Sequence, residues 1–99
     1  MISCNLEKVI RKRSINLLQT AHEYKSLFIN GAISESFLCQ KQKEIHSKFS
    51  DMRRVAYRIY NGYYDFQAFN RGLCDFLADI EDNFSEIAFW FMDYKKEHK

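Results

Sequence analysis

The sequence predicts an all-α protein, an antiparallel bundle of three long helices spanning about 5–29, 34–60 and 64–96. Three observations carry that prediction. Leu38, Gln42, Ile45, Phe49, Met52, Ala56 and Ile59 follow one another at steps of 4, 3, 4, 3, 4 and 3, which keeps one stripe of a helix facing a partner for three heptads. The 99 residues contain no proline, as expected of long helices joined by short turns. Asn-Gly pairs stand at Asn30-Gly31 and Asn61-Gly62, strong stop signals at the two places where the apolar periodicity pauses. A chain of this length forms one domain with one core, here residues 1–99.

The first helix is read from Leu6, Val9, Ile10, Leu17, Ala21, Tyr24 and Phe28, spaced mostly by 3 and 4, with Ser14 a small residue on the same stripe. Gly31 ends it, since glycine takes a left-handed conformation past the last turn without penalty. Ser34 is a suitable N-cap for the second helix, and Glu35 favours its positive end. The first two helices are therefore an antiparallel hairpin. The third segment carries Phe66, Phe69, Leu73, Phe76, Leu77, Ile80, Phe84, Ile87, Phe91 and Tyr94 in one register. Gly72 weakens it, and Asn83 with Ser85 offers a break. Because the apolar register does not reset at Ser85, one helix is expected, with four helices if the segment breaks there. Lys95 to Lys99 read as a frayed tail.

Composition excludes several classes. No apolar run reaches the roughly 18–20 residues that span a bilayer, and Glu7 and Lys8 interrupt the N-terminus before a signal peptide could form. Three cysteines, Cys4, Cys39 and Cys74, are odd in number and widely spaced. They read as reduced thiols of a cytoplasmic protein, serving as small apolar side chains. His22, His46 and His98 have no partner at metal-ligand spacing. No phosphate-binding loop or nucleophile elbow is present. The chain is read as non-enzymatic, without cofactor or metal.

The net charge of +2 conceals a segregation. Residues 1–58 hold eleven Lys and Arg against five Asp and Glu, whereas residues 59–94 hold Arg71 alone against seven acids. Asp75, Asp79, Asp82 and Glu86 step by 4, 3 and 4, so they share one helical face. Rings that the core need not consume stand nearby: Tyr60, Tyr63, Tyr64 and either Phe89 or Trp90. Either this face pairs with the basic faces of the other helices, where each solvated pair is worth little, or it meets a cationic partner. The candidate partner-binding set is Tyr63, Tyr64, Asp75, Asp79, Asp82, Glu86 and Trp90. Two alternatives stay open: nucleic-acid binding, as in a phage-type regulator, through Arg11-Lys12-Arg13, Arg53-Arg54 and Arg58, and homodimerisation of the amphipathic helices.

At the first hairpin, Phe28, Gly31, Ile33, Ser34 and Phe37 form an F-x-x-G-x-I-S-x-x-x-F pattern. It resembles the hairpin of helical immunity proteins of the colicin D type. The resemblance covers about a tenth of the chain and none of the candidate binding residues. It implies a small helical bundle that binds and blocks a tRNA-cleaving toxin domain inside the producing cell.

Overall fold

The computed structural model describes residues 4–97, and of Cys4 only its backbone. The expectations for the extreme N-terminus and for His98 lie outside the described residues. Four helices and no strand occupy the described chain: α1 Cys4–Ile29, α2 Glu35–Ile59, α3 Tyr63–Phe69 and α4 Arg71–Glu97. The all-α bundle is as expected, with a short fourth helix. Of the tail expected to fray, Lys95, Lys96 and Glu97 belong to α4, and residues 98–99 lie outside the described residues.

Both Asn-Gly pairs end helices, but in different registers. After α1, the Gly31 N–H bonds to the Phe28 carbonyl at 3.0 Å and the Ala32 N–H to the Leu27 carbonyl at 2.9 Å, with Gly31 at φ 79°. That is the two-bond Schellman closure. After α2 the same closure recurs one residue earlier in the pair: Asn61 N–H bonds to Arg58 and Gly62 N–H to Tyr57. Here Asn61 holds the left-handed position at φ 64°, which asparagine tolerates better than most residues. Gly62, at φ 130°, then opens α3. Ser34 caps α2 as expected, its hydroxyl accepting from the Phe37 N–H at 3.1 Å.

The third segment breaks at Asn70, and α4 runs unbroken through Ser85. Asn70 serves both sides of the break. Its N–H bonds to the Phe66 carbonyl at the end of α3, and its side-chain oxygen accepts from the Leu73 N–H at 3.0 Å, capping α4. Asn83 does not end a helix, because its side-chain amide donates to the Asp79 carbonyl within α4. The break places Gly72 in the first turn of α4, where an added Cβ would meet only the Arg11 guanidinium at an ordinary 3.7 Å. Gly72→Ala is accordingly expected to stabilise the protein by about 0.4–1 kcal/mol, read from the shift of the urea midpoint.

Helix order is up-down-up. Phe28, at the end of α1, meets Trp90, Phe91 and Tyr94 at the end of α4, and Arg11 near the start of α1 lies over Phe76 near the start of α4. So α1 and α4 are parallel and α2 is antiparallel to both. Fully buried Ser14 and Ala21, one heptad apart, let neighbouring backbones approach α1 closely. The Ser14 hydroxyl is satisfied by the Ile10 carbonyl at 2.8 Å. Gln42, the polar member of the α2 stripe, donates to the Ala21 carbonyl at 3.1 Å. By contrast α2 and α4 have few close backbone approaches and meet through long side chains, Phe49 on Phe84 and Arg53 on Glu81.

The core comprises Leu38, Ile45, Phe49 and Ala56 of α2, Phe66 of α3, and Leu73, Leu77, Ile80, Phe84, Ile87 and Phe91 of α4 against α1. Three stripe members are exposed, Val9 of α1, Ile59 and Phe69. Tyr60 is buried beside Ile59, and Phe69 is stacked on Tyr60 at 6.4 Å. Ile59 belongs to α2 itself, where a 3.5-residue stripe drifts about 20° per heptad around a straight helix, so Tyr60, four residues after Ala56, takes the core position. The break at Asn70 separates Phe69 from the register of α4. The result is a rod 48 Å long and 22 by 17 Å across.

Candidate functional site

The outer face of α4 is set by the helical period. Leu73, Leu77, Ile80, Phe84, Ile87 and Phe91 are buried on one side, which turns Asp75, Asp79, Asp82 and Glu86 to the opposite side. All four are exposed. Asp75 faces Arg71 one turn back, at 3.9 Å, with both side chains largely in solvent; such a pair is worth little. Asp79, Asp82 and Glu86 make no ion pair among the described residues. The carboxylate that does cross-pair is Glu81, which the sequence reading did not single out. It sits on the flank of α4 facing α2, where it engages Arg53 and lies 3.9 Å from the His46 ring.

The rings divide. Tyr64 is 85 % exposed and Tyr63 is also exposed, both on α3, their rings 5.9 Å apart. Tyr63 reaches α4: with Asp82, Glu81, Cys74 and Tyr57 it lines a hollow of about 220 Å³. There the Cys74 thiol holds the Tyr63 phenol above its ordinary range. Burial raises Tyr57 as well, partly offset by the Arg53 guanidinium. Trp90 is half-buried, edge-on to Phe28 and covered by the Lys25 ammonium at 4.5 Å. Phe89 is the ring left on the carboxylate side of α4, 64 % exposed. Tyr60 is buried.

Several of the cations that make up the basic face are engaged internally. Arg11 binds Glu7 through two nitrogens at 3.1 Å, Arg53 binds Glu81, and Arg54 faces Asp51 at 3.5 Å. Lys12, Arg13 and Arg58 make no ion pair among the described residues. Cys39 and Cys74 are free thiols. Among the described residues no group of three or more His, Cys, Asp or Glu could hold a metal ion, and no helix is long and apolar enough to cross a membrane.

Arrangement and chemistry together offer recognition by charge and shape, from a row of carboxylates about 16 Å long at 1.5 Å per residue with Phe89 at one end. No protein-family model, curated protein or solved structure matches this chain.

Proposed function

We propose that this protein is a non-catalytic inhibitor of the immunity type, acting in the cytoplasm by covering the basic substrate groove of a tRNA-cleaving toxin domain with the outer face of α4. The observation that carries the proposal is the exposed run Asp79, Asp82 and Glu86, free of ion pairs among the described residues and followed by exposed Phe89. Like charges at i, i+3 and i, i+4 cost a helix a few tenths of a kcal/mol per pair, roughly 0.2–0.5. A protein that holds them unpaired on one face gains nothing in stability from them. A groove that grips RNA phosphates is lined with cations, and carboxylates spaced along a rod can replace those phosphates. The Phe28–Phe37 hairpin pattern points to the same class of protein.

The test is direct. Purified protein is mixed with a tRNase domain of the colicin D type, or with the nuclease encoded by an adjacent reading frame, and tRNA cleavage is followed. Cleavage should stop near one equivalent, and inhibition should weaken as salt rises toward about 0.5 M, since exposed charges are screened over about 8 Å at physiological ionic strength. Undiminished cleavage at a tenfold excess over both nucleases would count against the proposal.

A further inference from the structure

A second surface lies between α1 and α2, with no residue of α4 lining it. Because the two helices are antiparallel, the first half of α1 runs beside the second half of α2. Two contiguous hollows open there, of about 360 and 380 Å³, sharing Arg13, Lys48 and Met52. Together they form a furrow from Leu6 to Thr20 of α1, about 21 Å at 1.5 Å per residue. Its lining is largely aliphatic, with Leu6, Leu17 and Met52 half-buried. Val9, Val55 and Ile59 stand 43 %, 53 % and 41 % exposed along it. The charges at its edge are Arg13 and Lys48, which make no ion pair among the described residues, and Asp51, which is turned to Arg54 at 3.5 Å.

We infer that this furrow is a docking site for an acidic amphipathic helix of another protein. Concavity and length fit a helix of about four turns, whose apolar ridge would cover Val9, Val55 and Ile59 while carboxylates beside the ridge meet Arg13 and Lys48. Charge decides against a two-fold pairing of the same furrow with itself, because that would bring Arg13 and Lys48 of one copy against those of the other. The aliphatic lining decides against a nucleic-acid backbone, which would cover it without using it. A flat lipid surface cannot reach into a trough.

The experiment uses the full chain and two fluorescent synthetic peptides of about 18 residues, each with leucines at steps of 3 and 4. One carries glutamate beside the leucines and the other lysine. The glutamate peptide should bind at least tenfold more tightly, becoming helical as it binds. Val55→Glu and Lys48→Glu, both at exposed positions, should each weaken it at least tenfold with the circular dichroism of the protein unchanged. Amide shifts should concentrate at Val9, Val55 and Ile59. Equal binding of the two peptides, or binding indifferent to both substitutions, would overturn the inference. So would sedimentation as a dimer or RNA binding that Lys48→Glu abolishes while neither peptide binds. None of these results touches inhibition through α4, so the two proposals fail separately.

Discussion

Replacing Phe49 with alanine is expected to lower the unfolding free energy by about 3–5 kcal/mol, the usual cost of deleting a fully buried ring. Phe49 has no exposed surface, packs on Phe84 with ring centroids 5.3 Å apart and lies under the Arg53 guanidinium at 5.7 Å. Its position makes collapse around the deletion difficult. The backbones of α2 and α4 approach each other little, so this ring is much of what joins them. Its removal would leave a void that neither helix can fill without also leaving α1. Small domains are stable by about 5–15 kcal/mol, so the variant should lose a large share of the total. Urea unfolding followed by far-ultraviolet circular dichroism measures it. Phe89→Ala, at an exposed site of the same helix system, is the control and should change stability by less than about 0.5 kcal/mol. A loss below about 1.5 kcal/mol for Phe49→Ala, half the usual minimum for a buried ring, would mean that the α2–α4 seam does not depend on it.

The parts of the fold that follow from one-dimensional periodicity were legible. The α2 stripe as far as Ala56, the Gly31 stop and the Ser34 cap need only local rules, and each stands where those rules place it. What escaped is also physical. Phe66, Phe69 and Leu73 keep a 3,4 spacing across Asn70, so apolar spacing alone does not reveal a break that a single asparagine makes by ending one helix and capping the next. The two Asn-Gly pairs look alike in sequence but close in different registers, because at the second the asparagine takes the left-handed position. Within α2 itself the 3.5-residue stripe drifts off the buried line, so Tyr60, four residues after Ala56, is in the core and Ile59 is outside it. For the candidate site, the spacing of Asp75, Asp79, Asp82 and Glu86 was enough to place them on one face. Whether their neighbours were free was not legible, since that depends on long-range approach. Arg53 reaches Glu81 across the α2–α4 seam, and Phe28 with Lys25 draws Trp90 toward α1. Phe89 is thereby left as the ring beside the carboxylates.

Reversing Asp79, Asp82 and Glu86 to lysine is expected to reduce inhibition of a cationic nuclease domain by at least about 100-fold, chiefly through slower association, because complementary fields speed encounters by roughly 10–1,000-fold. The three side chains are exposed and unpaired among the described residues, so the substitution removes no contact that holds the bundle together. Lysines at the same spacing repel about as the carboxylates do, and the urea midpoint should move little. Glu81→Gln separates charge from position. Glu81 lies one residue from Asp82 but is turned toward Arg53 and His46, so neutralising it should leave inhibition within about threefold, under about 1 kcal/mol, while loosening the seam. Stopped-flow association at two salt concentrations distinguishes the outcomes. The triple variant should lose its fast phase and associate faster, not slower, as salt rises, because repulsion is screened. Glu81→Gln should keep both the fast phase and its slowing by salt. Inhibition unchanged in the folded triple variant would show that the outer face of α4 is not what the nuclease meets. An equal loss in Glu81→Gln would shift the contact to the α2–α4 seam, where the hollow bounded by Tyr57, Tyr63 and Asp82 becomes the surface to mutate next.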